Sequence, residues 1–90
     1  MKITNPAANQ TLIQSSAYTA LLSYGVPQVV VLHNEGLTLV NNDKYSNTTN
    51  KHRNAAVRNY HPANFTMVDA SPGEIQEITG LETPSSKDLK

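Results

Sequence analysis

The stretch VVVLHNEGLTLV, residues 29–40, decides the fold because it predicts a β-hairpin in the middle of the chain. Its first four residues are apolar and mostly β-branched, which is typical of a central strand that is covered on both faces. The next four include Asn34 and Gly36, which tolerate positive φ and therefore predict a tight turn. The last four return as the partner strand, and we place the hairpin at residues 28–40.

The segments on either side of the hairpin predict the rest of an α+β fold. Upstream, residues 17–24 are apolar enough for a strand, and residues 11–14 could begin another. Residues 1–10 are interpreted as an arm or a short edge strand. Downstream, residues 64–69 alternate between apolar and polar side chains, as a further strand does. We therefore expect a small antiparallel sheet in which the hairpin has flanking strands.

A main helix is predicted at residues 48–60. Helical spacing places Ala56, Val57 and Tyr60 on one side, which should face the sheet. The helix should end just before Pro62, because the residue preceding a proline is pushed out of the α region.

A short second helix is predicted at residues 72–79. Ser71 and Glu74 form a capping box around a proline at the first helical position. Residues 1–81 are thus expected to form a single α+β domain, and the polar residues 82–90 a flexible tail.

Composition narrows the class of protein. The 90 residues include no cysteine, which excludes a disulfide scaffold and a thiolate metal site. Seven basic and seven acidic residues cancel, so the chain is not a polycation that must bind nucleic acid. No apolar run reaches the ~20 residues of a membrane span, and no secretion signal is evident, which together predict a cytoplasmic protein without membrane contact. A strand that is apolar on both faces must be buried on both, and the one main helix can bury only one face of the sheet. We therefore also expect a homo-oligomer, in which another subunit buries the second face.

The segment YSNTTNKHR, residues 45–53, is the most informative polar stretch. It holds hydroxyls, amides and basic groups without one carboxylate, and every ionised residue in 44–68 is basic. Free amides at a helix start, hydroxyls and cations are the ingredients of an anion site, and phosphate is the commonest cellular anion. The predicted ligand-binding residues are Ser46, Thr48, Thr49, Lys51, His52 and Arg53.

Two aromatic residues extend this hypothesis. Tyr24 and Tyr45 are candidates for stacking on a nucleobase. The alternative interpretation is structural: Ser46 and Thr48 cap the helix, the tyrosines pack in the core, and His52 forms hydrogen bonds within the fold. The sequence alone leaves both interpretations open.

Catalytic and metal chemistry find little support in the sequence. The three histidines lack metal-ligand spacing, and no glycine-rich phosphate loop or nucleophile elbow is present. We therefore predict no catalytic residue, no metal and no cofactor, and a protein that is not an enzyme.

Two motifs, SYGVP at 23–27 and YSNTTNKH at 45–52, give the chain a resemblance to a family of small phage and prophage proteins. Members of that family have an S-Y-x-T-P-V-A-like strand entrance and a Y-S-x-T-T-x-x-H helix entrance. The likeness covers roughly residues 12–60, and Val26 stands where the family has threonine. The resemblance implies a viral accessory protein made in the cytoplasm of an infected bacterium, of a kind that often blunts host defence.

Two functions follow from these expectations. The first is an anti-defence protein that binds a phosphate-bearing ligand, such as a nucleotide signal, at the start of the main helix. The alternative is a protein–protein inhibitor of a host defence or regulatory protein, which would use a sheet edge or the acidic segment 69–82 and no small-molecule ligand.

Overall fold

Six strands lie side by side in chain order in a computed structural model that describes residues 1–89. Neighbouring strands from the first to the fifth are antiparallel, and the sixth runs parallel to the fifth. The strands are β1 (Lys2–Thr4), β2 (Gln10–Gln14), β3 (Tyr18–Ser23), β4 (Val26–Leu32), β5 (Leu37–Asn41) and β6 (Thr66–Ala70). The helices are α1 (Asn47–Tyr60) and α2 (Pro72–Thr79), followed by a 3-10 turn at Ser86–Leu89. The α+β fold, the hairpin and both helices agree with the sequence prediction.

The hairpin forms the centre of the sheet, as predicted. Every residue of β4 is buried, and Val30 pairs with Leu39 in the register of β4 and β5. The strand begins two residues before position 28, and Pro27 lies within it. Proline has no N–H to donate to a neighbouring strand. The register of β3 and β4 shifts next to Pro27, between Leu21 and Leu22.

The parallel pairing of β6 differs from the antiparallel sheet that the sequence predicted. Helix α1 carries the chain from the end of β5 back to the beginning of that strand, so β6 runs in the same direction as β5. Backbone hydrogen bonds secure both ends of the pair, from Thr66 N to Gly36 O at 3.0 Å and from Asn42 N to Ala70 O at 2.9 Å.

Helix α1 covers one face of the sheet. Ala56 is buried against Leu12, Leu21 and Val29, and Val57 and Tyr60 pack around this cluster. The predicted inward side of the main helix is therefore confirmed.

Helix α2 covers the other face. Its Ile75 is fully buried in a cluster that includes Val30, Leu39 and Ala70, and Leu81 packs against the same cluster. Both apolar faces of β4 are thus covered within one chain. This corrects the reasoning behind the predicted homo-oligomer, because the second helix supplies the cover that another subunit was expected to provide.

Polar contacts connect the segment after α2, which lies within the predicted flexible tail at 82–90, to the rest of the domain. Thr83 is buried, and its N–H donates to Gln76 Oε1 at 3.0 Å. The Tyr45 hydroxyl donates to Pro84 O at 2.7 Å, and Ser86 donates to the Asp43 carboxylate. Specific polar contacts, which leave no periodic signal in a sequence, hold the segment in place. Lys90 lies outside the described residues.

Neither α1 nor α2, nor any other helix within residues 1–89, has the length and apolar character needed to cross a membrane.

Candidate functional site

The first turn of α1 is capped by Ser46. The Ser46 Oγ accepts a hydrogen bond from Thr49 N at 3.1 Å, which satisfies one of the amides that a helix start leaves unpaired. The first turn contains no acidic residue, although carboxylates are favoured there. The positive end of the helix is therefore not neutralised by its own side chains.

A buried network ties this turn to the end of β3. The Ser23 Oγ lies 3.2 Å from Thr49 Oγ1 and 2.7 Å from His52 Nδ1. A serine in contact with a histidine resembles a nucleophile and its base, but Ser23 is only 1% exposed and its Oγ is already engaged by Thr49 and His52. The network positions Thr49 and His52. Ser23 begins the SYGVP motif but was not among the predicted binding residues, because nothing in the sequence marks the end of β3 as the partner of α1.

Arg53 is occupied within the fold. Its guanidinium donates to Asn41 O at 2.7 Å, to Asp43 O at 2.8 Å and to the side chain of Asn50. A further contact reaches Gln28 Oε1 at 3.4 Å. Arg53 therefore fastens α1 to the end of β5, which differs from its predicted role in gripping an anion.

Five of the six predicted binding residues separate into two groups. Thr49 is buried and Arg53 points inward, whereas Ser46, Thr48 and Lys51 are exposed. Two positions along an α-helix correspond to a rotation of about 200°, so Lys51 and Arg53 leave the helix on nearly opposite sides. The structure does not bring these two cations together. His52 lies between the groups, half-buried, with one nitrogen bound to Ser23.

Tyr24 occupies the tight turn between β3 and β4. It has φ +51°, and Gly25 follows with φ +78°. A tyrosine in the left-handed region costs about 1–2 kcal/mol, and such turns favour Asn-Gly. The side chain is nevertheless 57% exposed, and its ring stacks on His52 with 6.2 Å between the ring centroids. A strained, exposed aromatic residue is characteristic of a functional position.

A cavity of about 180 Å³ lies between the two predicted stacking residues. The lining residues are Ser23, Tyr24, Val26, Tyr45, Ser46 and Thr49. Exposed Tyr24 and Ser46 border the cavity, and buried Ser23 and Thr49 form its base. The Tyr45 phenol also accepts a hydrogen bond from Asn41 Nδ2 at 3.1 Å. Burial raises the pKa of this phenol, so the Tyr45 side chain that lines the cavity is uncharged.

A larger groove of about 520 Å³ lies on the α1 face, between the helix and β6. Its lining residues are Val40, Asn54, Val57, Arg58, Met67 and Asp69. Of the acidic segment 69–82, Asp69 faces this groove. Glu74 instead accepts from Ser71 N at 3.0 Å in the capping box, a bond that lowers the pKa of the Glu74 carboxyl.

The model of a family described as a family of unknown function (DUF8033) matches residues 1–70. These residues include all six strands, α1 and the cavity, whereas α2 and the segment after it lie beyond the match. No curated protein and no solved structure matches the chain.

Proposed function

We propose that this chain, which belongs to the DUF8033 family of unknown function, binds a phosphate-bearing ligand such as a nucleotide signal at the N-terminal end of α1. One observation carries the proposal. Tyr24 is held exposed in a strained turn, stacked on His52, beside a helix start that has no acidic residue in its first turn.

The aromatic part of the ligand would occupy the cavity between Tyr24 and Tyr45. A volume of about 180 Å³ suits one flat heteroaromatic ring better than a whole nucleotide, so the charged part would remain outside. Stacking of a base on an aromatic side chain contributes about 1–3 kcal/mol and tolerates different bases.

The phosphate would lie at the start of α1. The partial positive charge of the helix end favours an anion there, and the exposed hydroxyls of Ser46 and Thr48 can donate to it. Lys51 adds an exposed cation on the next turn. His52 Nε2, which has no hydrogen-bond partner among residues 1–89, adds a further polar group. Thr49 and Arg53 serve as the scaffold of this site.

The biological setting of the proposal comes from the resemblance to small phage and prophage proteins. A phage-encoded protein that sequesters a nucleotide signal would act against host defence in the cytoplasm of the infected bacterium. Binding alone is sufficient for this role, so no catalytic group is required.

Isothermal titration calorimetry with inorganic phosphate, mononucleotides and cyclic nucleotides tests the proposal. We expect wild type to bind at least one nucleotide more tightly than inorganic phosphate, because the ring adds stacking energy. Tyr24→Ala and Lys51→Glu should each weaken that binding at least about tenfold. Lys2→Glu, the same charge reversal on exposed β1, is the matched control and should bind as wild type does. Absence of heat with every nucleotide, or equal losses in Lys51→Glu and Lys2→Glu, would refute the proposal.

The alternative function, inhibition of a host protein without a small-molecule ligand, is favoured by the groove beside β6. Exposed Met67 lies there between the charges of Arg58 and Asp69, a mixture that suits a protein surface. This alternative predicts that nucleotides do not bind. It also predicts that Met67→Lys abolishes association with a host protein, whereas Tyr24→Ala leaves that association unchanged.

A further inference from the structure

We propose that β6 pairs through its free edge with β6 of a second copy of the chain, which joins two six-stranded sheets across a two-fold axis. The proposal concerns a different surface from the ligand site and does not depend on it.

The backbone of β6 presents hydrogen-bonding groups outward. Thr66 N donates to Gly36 O and Ala70 O accepts from Asn42 N, so the backbone groups of these two β6 residues point toward β5. Alternate residues of a strand direct their N–H and C=O to opposite sides. The groups of Met67 and Asp69 therefore point away from the sheet, at an edge that no other strand of the described residues covers. Such an edge is a template for another strand.

The direction of these groups limits the register of a symmetric pair. An axis through Val68 places Met67 opposite Asp69 of the partner subunit, and each such pair exchanges both N–H···O bonds. An axis through Asp69 would oppose two carboxylates, which is unfavourable. An axis through Met67 would need Phe65, whose N–H already donates to Pro62 O at 3.0 Å. The axis through Val68 is therefore selected.

The side chains of β6 complement each other in this register. Val68 is 39% exposed and would meet Val68 of the partner subunit, which removes apolar surface from water in both copies. On the other face, Met67 and Arg58 line the same groove. Asp69 of the partner subunit, opposite Met67, thereby approaches Arg58. A second copy thus satisfies backbone, apolar and charged groups together.

Cysteine cross-linking tests the register, because the natural chain has no cysteine. Opposite residues in a non-hydrogen-bonded pair have Cα atoms about 4.5 Å apart, within the range of about 4.4–6.8 Å that disulfides accept. Val68→Cys should therefore form a disulfide dimer with oxidised glutathione. Met67→Cys, about 7–8 Å from its own symmetry mate, should cross-link at least about tenfold more slowly. Ile3→Cys, on the opposite edge strand β1, is the control for random collision.

Analytical ultracentrifugation over a micromolar concentration range tests the dimer itself. We expect wild type to dimerise and Val68→Lys to raise the dimer Kd at least about tenfold, because lysines would oppose each other at the axis. Ile3→Lys, at a position that is 60% exposed on the other edge, should dimerise as wild type does.

Circular dichroism verifies that both variants are folded, and the Val68→Cys result remains decisive if Val68→Lys unfolds. A monomer at every concentration, with Val68→Cys no faster than Ile3→Cys, would overturn the proposal. Cross-linking only in the presence of another protein would assign the edge to that protein and overturn it equally.

Discussion

At the scale of single residues, Arg53 and Lys51 show how two neighbouring cations on one helix acquire different roles. Arg53 donates to two backbone carbonyls at the end of β5 and to the side chain of Asn50, so its charge is satisfied by dipoles. Lys51, on the other side of α1, remains exposed. The planar fork of an arginine suits several acceptors at once, which a lysine cannot reproduce. Arg53 therefore belongs to the fold, whereas the Lys51 side chain is exposed to solvent.

Arg53→Met is expected to lower the free energy of unfolding by about 2–4 kcal/mol, because charged hydrogen bonds are lost and the part-buried carbonyls of Asn41 and Asp43 are left without this donor. Urea denaturation followed by circular dichroism measures this change. Lys51→Met, the matched control, should change the free energy of unfolding by less than about 0.5 kcal/mol. Equal effects in both variants would contradict the assignment of Arg53 to the fold.

The start of α1 and its Ser46 cap could be predicted from the sequence, because they follow from local rules of helix capping and periodicity. The ligand-binding role of residues 46–53 stays a prediction. The inward direction of Arg53 and the burial of Thr49 depend on the ends of β3 and β5, which lie next to α1 only in the folded chain. A single sequence contains no signal for such contacts, and Ser23 was missed for the same reason.

At the scale of elements, helix α2 and the polar segment after it are short, yet both make contacts that hold the fold together. Helix α2 has eight residues and covers the face of the sheet that α1 leaves open. The polar segment after it is fastened by Tyr45 and Asp43, the residues that also lead into α1. Residues after β6 therefore do two things. Helix α2 buries the second face of β4, and the segment after it contacts the residues that lead into α1.

Two isoleucines of α2 provide a matched test of this role. Ile75 is fully buried whereas Ile78 is 53% exposed, on the same helix. Ile75→Ala should lower the free energy of unfolding by about 2–5 kcal/mol through lost burial and the cavity it leaves. Ile78→Ala should cost less than about 1 kcal/mol. Thermal or urea unfolding distinguishes the two, and similar losses would mean that α2 does not cover the sheet.

The attachment of the C-terminal segment should depend on pH. The Asp43 carboxylate accepts from Ser86 N at 2.8 Å and from Ser86 Oγ at 3.0 Å, and the backbone bond in particular lowers the pKa of Asp43. Because the folded state favours the ionised carboxyl, this stabilisation is complete above the pKa of the unfolded chain and is lost as pH falls through the lower folded pKa. The segment should therefore detach in acid, below about pH 4.

Nuclear magnetic resonance of the Ser86 amide follows this release. Its chemical shift should titrate in the wild type below about pH 4. In Asp43→Ala, which has no acceptor for the Ser86 N–H, it should already resemble the detached state at neutral pH. A wild-type Ser86 signal that does not change in acid would count against the attachment.

At the scale of the whole molecule, the sequence predicted the α+β class, the hairpin, both helices and the inward side of α1. It did not predict that β6 runs parallel to β5, because strand direction depends on where the crossover helix returns the chain. The polar contacts of the segment after α2 were also not predicted, since a polar segment that makes specific side-chain contacts resembles a disordered one in composition. The homo-oligomer stays a prediction, now based on the edge of β6 instead of an uncovered face.

The parallel strand pair also bears on the order in which the molecule folds. The first five strands are joined by short turns and complete their ladders from contacts that are close in sequence, whereas β6 must close a loop that contains all of α1. Contacts across long loops carry a larger entropic cost and form late. We therefore expect β5 to be the edge of the sheet until β6 pairs with it, and we expect aggregation to be most favourable at that stage of folding.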